Sequence, residues 1–260
     1  MPKDALVLLD KRTDGIATLT LNRPERFNAF TKEMIDLWAK LLLECEDDSS
    51  VKLIVLTGAG KGFCAGGDIE VQKERARNDA LERKDFLFRH VHKIPRTMAR
   101  LDKPVIAAIN GAARGAGVDM ALMCDLRVMS ASATLAESYI NVGLIAGDGG
   151  AFYLPRLIGI PRALELLWTG RVVGAEEAER IGMVSRVVPD AELMDATYEL
   201  ARSIASMPYE AVRAYKRTVY QSLTMDLDAH LDLVSAHMSI LRDTPEHRER
   251  VEAFLQRKKK

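Results

Sequence analysis

The sequence predicts an α/β fold followed by a helical C-terminal region. Short apolar runs that end in glycine alternate with helix-period stretches over the first two-thirds of the chain. From Ala191 to the end glycine disappears and helix formers dominate. The length of 260 residues is enough to bury a sizeable core. These observations divide the chain into an α/β core over residues 1–190 and a helical region over 191–260.

The elements follow in order. Ile16 to Leu21 alternates Ile, Thr and Leu with small residues, the pattern of a half-buried strand. Thr31 reads as an N-cap, because Met34, Ile35, Leu37, Trp38, Leu41 and Leu42 then recur at helical spacing up to Cys45. Leu53-Ile54-Val55-Leu56 is a fully apolar strand ending in Thr57-Gly58. Val105 to Ile109 is a second, ending in Asn110-Gly111, and Leu126-Arg127-Val128-Met129 is a candidate third. Runs this short and this apolar suit strands buried on both faces. In the last part, Ala211, Val212, Ala214, Tyr215, Val219 and Tyr220 make one helical stripe. Leu231, Val234, His237, Met238 and Leu241 make another.

Composition narrows the function classes. Hydrophobic residues at 48% and charged residues at 28% give an ordinary globular profile. Lys plus Arg equals Asp plus Glu, 37 each, so no overall charge draws the chain to nucleic acid or to an anionic membrane. The Lys258-Lys259-Lys260 end reads as a solvated, frayed terminus. Leu6 to Leu9 is too short and too closely flanked by charge for an export signal, and no apolar stretch reaches membrane-spanning length. Cys45, Cys64 and Cys124 are odd in number and lack metal-ligand spacing. Reduced, mostly buried thiols in a cytoplasmic protein without a metal site are expected.

Two glycine-rich segments carry the chemistry. In the first, Thr57 to Asp68, a dinucleotide-binding fingerprint would need glycine where Phe63 stands, and a Walker loop would need Ser or Thr where Gly62 stands. Both phosphate-binding readings fail. The second segment, Asn110 to Asp125, runs from a strand through Gly115-Ala116-Gly117 into a helix-like Met-Ala-Leu-Met run. Unsatisfied amides at a helix start suit an anion or a developing oxyanion, and tight helix–strand packing demands the same small residues. The residues alone leave these two readings open.

Taken together, the segments resemble the enoyl-CoA hydratase/isomerase (crotonase) family. The resemblance runs through nearly the whole chain: Leu21 to Ala29, Cys64-Ala65-Gly66-Gly67-Asp68, Asn110-Gly111 through Cys124-Asp125, and Gly143 through Gly150. Thr169-Gly170-Arg171 with Ala175-Glu176-Glu177-Ala178 and Gly182-Met183-Val184 follows, then Glu246-His247-Arg248-Glu249 with Ala253-Phe254. It implies a crotonase-like spiral of repeated ββα units, with no cofactor beyond a CoA thioester substrate. It also implies self-association into homotrimers or hexamers through the helical C-terminal region, which would approach the CoA adenine end.

The resemblance assigns residues as follows. Gly67 and Ala116 stand where the family donates two oxyanion-hole amides; such donors stabilise an enolate by about 3–4 kcal/mol each. Alanine at the second position departs from the usual glycine but keeps the N–H. Asp68 holds the loop, and Gly66 and Gly115 belong to the substrate-binding segments. Arg26 and Ala65 resemble positions that touch the pantetheine or phosphates, and Phe254 one that approaches adenine. Simple hydratases of the family use two glutamates. Here the first position is Asp119 and the second is Tyr139, which falls four residues before Gly143. Glu137 and Asp148 are the additional carboxylates nearby. Members that isomerise dienoyl-CoA also carry Asp at the first position, with a further Asp one residue before the position of Asp148.

Hydration of a 2-enoyl-CoA is therefore the leading expectation, with Asp119 and Glu137 or Asp148 handling water and proton. Double-bond isomerisation is the alternative. Hydrolase or C–C-cleaving chemistry, and a non-catalytic or RNA-binding role, stand behind these two.

Overall fold

The computed structural model of the chain describes residues 4–68, 70–71, 73 and 79–257. The terminal lysines Lys258 to Lys260 lie outside the described residues. Strands β1 (Val7–Lys11) and β2 (Ile16–Leu21) form an antiparallel hairpin. Helix α1 (Lys32–Asp47) follows, with the Thr31 hydroxyl accepting from the Met34 amide at 3.4 Å, as the capping pattern predicts.

From there the chain repeats one move. It lays down a strand, turns sharply into a second short strand, and then leaves by a longer connection that includes helix. The pairs are β3 (Leu53–Gly58) with β4 (Gly62–Cys64), β5 (Val105–Ile109) with β6 (Ala112–Arg114), and β7 (Leu126–Ser130) with β8 (Thr134–Ala136). The first strand of each pair joins one sheet and the second joins another. With β9 (Val173–Gly174) and β10 (Arg186–Val188), the sheets have orders β1-β2-β3-β5-β7-β10 and β4-β6-β8-β9. Pairing is parallel except for β1–β2 and β8–β9. The architecture is the ββα spiral that the resemblance implies.

Asparagines sew the stacked turns together. The Asn110 side chain accepts from the Gly58 amide at 3.1 Å and donates to Gly60 O at 3.0 Å. Buried Asn28, in the left-handed region at φ 57°, donates to Ala59 O at 2.9 Å and Gly62 O at 2.8 Å and accepts from the Arg23 amide at 2.9 Å. Left-handed backbone is one that asparagine tolerates better than most residues. One side chain thereby ties the loop after β2 to the turn between β3 and β4.

The main core fills the space between the sheets and helices, with Trp38, Phe63, Leu56 and Met120 among its members. All three cysteines are buried and free. Helix α2 (Ala80–Phe86), a π-helical stretch Leu87–Val91 and α3 (Lys93–Met98) bridge β4 to β5. Helices α4 (Ala116–Leu122), α5 (Gly150–Ile158), α6 (Ile160–Thr169) and α7 (Ala175–Arg180) complete the spiral.

The helical C-terminal region comprises α8 (Leu193–Ala205), α9 (Tyr209–Ser222), α10 (Leu227–Arg242) and α11 (Pro245–Arg257). Helix α8 packs Leu193 and Ala201 against Ile16, Val55, Ile106 and Val128, sealing the outer face of the larger sheet. The stripes expected on α9 and α10 are less buried than their periodicity suggests. Ala214 is inside, whereas Tyr215, Val219, Leu231 and Met238 are largely exposed, because no element among the described residues covers those faces. No helix among the described residues is long and apolar enough to cross a membrane.

Candidate active site

The two glycine-rich segments meet where β4 ends and α4 begins. At the end of β4, the Cys64 thiol donates to Asn28 O at 3.3 Å and accepts from the Gly66 amide at 3.4 Å. The Phe30 amide then donates to Gly66 O at 2.9 Å and the Asp68 amide to Phe30 O at 3.1 Å, which fixes Gly67 in a short parallel bridge with Phe30. Gly66 has φ +87°, and a Cβ there would stand 2.9 Å from Arg114 O and 3.4 Å from the Ala116 nitrogen. Only glycine lets this loop pass so close to the first amide of α4. That amide has no acceptor one turn earlier, as at any helix start.

Asp68 anchors the loop. Its Oδ2 accepts from both terminal nitrogens of Arg23 at 3.0 Å, and its Oδ1 from the Glu70 amide at 3.0 Å. Burial opposes ionisation of Asp68, but the Arg23 guanidinium and the Glu70 amide outweigh it and hold the carboxyl below its ordinary value.

The acids gather one turn along α4. Asp119 is 0% exposed, and its Oδ2 accepts from the Tyr139 hydroxyl at 2.8 Å and the Asp148 amide at 3.0 Å. Tyr139, in the 3-10 turn Ser138–Val142, also lies 3.1 Å from Asp148 Oδ2. Asp148 is 4% exposed and Glu137, just after β8, is 2% exposed. Asp119 Oδ1, Asp148 Oδ1 and both Glu137 oxygens meet no hydrogen-bond donor. His92 donates from Nε2 to Gly147 O at 2.9 Å and so pins the loop that carries Asp148.

This is a buried cluster of carboxyls, and no cation among the described residues acts on them. Burial raises Asp119 above its ordinary value even though Glu137, Tyr139 and backbone amides pull the other way. Burial, reinforced by the Asp119 charge, pushes Asp148 up to about 7. Burial and the same neighbour push Glu137 up to about 10. The Tyr139 hydroxyl is driven far up by burial and by Asp119, which keeps it a neutral donor. The geometry has a direct corollary. One phenol hydrogen cannot serve two carboxylates, so both Tyr139 contacts are hydrogen bonds only when one aspartic acid is protonated.

The arrangement sets the Gly66-Gly67 loop and the first amide of α4 beside acids able to exchange protons near neutrality. The profile of the family described as enoyl-CoA hydratase/isomerase matches residues 11–260. The chain belongs to the enoyl-CoA hydratase/isomerase family. It is 38% identical over 241 residues to the 1,2-epoxyphenylacetyl-CoA isomerase of Escherichia coli K12, covering 93% of this chain and 92% of that protein. It is 35% identical over 254 residues to the short-chain-enoyl-CoA hydratase of Clostridium acetobutylicum, covering 97% and 95% respectively. The crystal structure of an enoyl-CoA hydratase from Mycobacterium smegmatis superposes with a TM-score of 0.91 at 35% identity, covering 98% of this chain and 97% of that one.

For this member of the hydratase/isomerase family, the structure brings together Asp119, Glu137, Tyr139 and Asp148. It also brings the Gly66-Gly67 loop against Gly115 and Ala116. Ala65 is exposed beside that loop. Arg26 stays on the surface, 3.4 Å from Glu70. Phe254 is 58% exposed on α11, a helix that reaches back to Ser206 O through Arg250. Sequence reasoning missed Arg23, Asn28 and His92 as supports of the site. Arg23 and Asn28 sit inside the Leu21–Ala29 segment that carried the resemblance, so a signal existed. His92 had none, since its partner is a backbone carbonyl far along the chain.

Proposed function

We propose that the chain is an enoyl-CoA hydratase that adds water across the conjugated double bond of a 2-enoyl-CoA thioester. The amides of Gly67 and Ala116 receive the thioester oxygen as it becomes an enolate oxygen. Asp119, anionic and already oriented by two donors, takes a proton from the attacking water. Asp148, neutral at its raised set point, delivers a proton to the α-carbon. Tyr139 then resets the pair: it accepts the proton gained by Asp119 while passing its own to Asp148, without becoming a phenolate. The carrying observation is the Tyr139 hydroxyl, 2.8 Å from Asp119 Oδ2 and 3.1 Å from Asp148 Oδ2. It supports one protonated and one ionised acid in a single connected unit.

The same pair could shuttle one proton between two carbons, and the raised Asp148 favours this second reading, double-bond isomerisation. Arg26, Ala65, Gly66 and Gly115 complete the thioester and CoA side of the site in this proposal, with Phe254 toward the adenine. The exposed apolar faces of α9 and α10 support self-association to a trimer or hexamer. Three free, buried thiols are compatible with a reducing, cytoplasmic setting.

The test is to incubate the protein with 2-enoyl-, 3-enoyl- and dienoyl-CoA, following conjugated-thioester absorbance and product mass. A product heavier by one water supports the hydratase. A moved double bond at unchanged mass supports the isomerase. Tight binding of CoA thioesters with no turnover of any of them would overturn both.

A further inference from the structure

The proposed reaction uses Asp119, Tyr139 and Asp148 and leaves Glu137 without a task. Glu137 is almost wholly buried, and neither of its oxygens meets a donor. Asp119 Oδ1 is likewise buried and unserved. These unfilled oxygens converge on one point. A Cβ built on Gly150 would stand 2.2 Å from Asp119 Oδ1 and 2.7 Å from Glu137 Oε1. Glycine at 150 therefore leaves open the space through which the two carboxyls approach each other.

Two anions buried in that position would repel, and two bare acceptors would each lack a partner. One hydrogen removes both defects. It belongs on Glu137, because Asp119 already accepts from the Tyr139 hydroxyl and the Asp148 amide, which favour its anion, and Glu137 accepts from neither. The titratable groups facing Glu137 are Asp119 on α4, Tyr139 on the following turn and Asp148 ahead of α5; none is a cation.

We propose that Glu137 is a positioning residue, a standing neutral acid whose O–H serves Asp119 Oδ1 and keeps Asp119 anionic and fixed in orientation. Its bearing on catalysis rests on Asp119 being the base of the reaction proposed above. Its protonation is independent of that reading. Burial and the adjacent Asp119 charge act in the same direction on Glu137.

Infrared difference spectra decide the first part without turnover. At a pH of about 8.5, above the range of Asp148 and below that of Glu137, the protein is expected to show a neutral-carboxyl C=O band that the Glu137→Gln variant lacks. Kinetics decide the second part. Glutamine can donate to Asp119 from its amide, whereas Glu137→Met is similar in length and cannot. The methionine variant is expected to be at least about tenfold less active than the glutamine variant. The acid limb of its kcat/KM profile should move upward by about one pH unit, because Asp119 loses a donor to its charged form. A band that survives Glu137→Gln and disappears in Asp119→Asn would overturn the proposal. So would a methionine variant equal to the glutamine variant in activity and pH profile. If no enoyl-CoA turns over, the infrared result still stands, which separates failure of this inference from failure of the proposed reaction.

Discussion

The Asp148 amide donates to Asp119 Oδ2 at 3.0 Å, so the loop that carries one acid is hung on the side chain of the other. In the proposed reaction Asp119 is therefore both a reacting group and the fixture that places its partner. Asp119→Asn can preserve a carbonyl oxygen for the amide but cannot take a proton from water. The expected result is a loss of about 10²–10⁴ in kcat with little change in KM, measured by steady-state hydration kinetics.

The protonation states give hydration a two-limbed pH profile, with an acid limb from Asp119 and an alkaline limb from Asp148. The proposed hydration needs Asp119 ionised and Asp148 protonated, and Asp148 is pushed up to about 7 by burial and by Asp119. The kcat/KM for hydration is expected to fall as pH rises through that value. Dehydration starts from the same singly protonated pair with its proton on Asp119, so its kcat/KM should fall over the same range. A profile flat from acid to alkaline pH would remove Asp148 from the reaction.

Stability responds to the same group. In the window between the ordinary aspartate value of 3.8 and about 7, native Asp148 keeps a proton that the unfolded chain releases. The folded state then binds more protons than the unfolded one, and stability falls as pH rises across the window. Asp148→Asn removes this liability. The variant should gain on the parent protein with rising pH, by an amount approaching the order of 4 kcal/mol at most, and then level off. Urea unfolding of both proteins at several pH values measures it.

The Arg23–Asp68 pair anchors the Gly66-Gly67 loop. Both side chains are largely buried, and Arg23→Ala leaves the Asp68 carboxylate without its guanidinium. The expected cost is about 3 kcal/mol of unfolding free energy, with a reduced kcat because the loop amides lose their alignment.

Gly66→Ala probes the same loop from the other side. A methyl group at φ +87° and 2.9 Å from Arg114 O forces the loop away from α4. About 10²-fold loss of kcat/KM is expected from the displaced amides, with a smaller effect on thermal midpoint.

The sequence was most legible where a single residue type had to meet a single physical demand. The apolar runs at Leu53 and Val105 became the central strands, and Thr31 became the N-cap, because burial and capping act locally. Strands β4, β6, β8, β9 and β10 span two or three residues each, too few for any periodicity to register. The acids were visible as residue types near glycines. That Tyr139 would touch both Asp119 and Asp148 was not, since their contact depends on how three separate loops converge. Glu137 is the sharpest instance. In sequence it could equally cap a helix or hold a loop, and only its enclosure beside Gly150 shows that neither oxygen meets a donor.

The spiral also governs how the chain reaches its native state. After the β1–β2 hairpin, every neighbour in the larger sheet is joined in parallel by a long crossover, so the ordering entropy of each loop is lost before its strand gains a partner. Meanwhile the hydrophobic runs at Leu53 and Val105 stay open to other chains. Refolding from denaturant is thus expected to take place on a timescale of milliseconds to seconds or longer, with yields that fall as protein concentration rises.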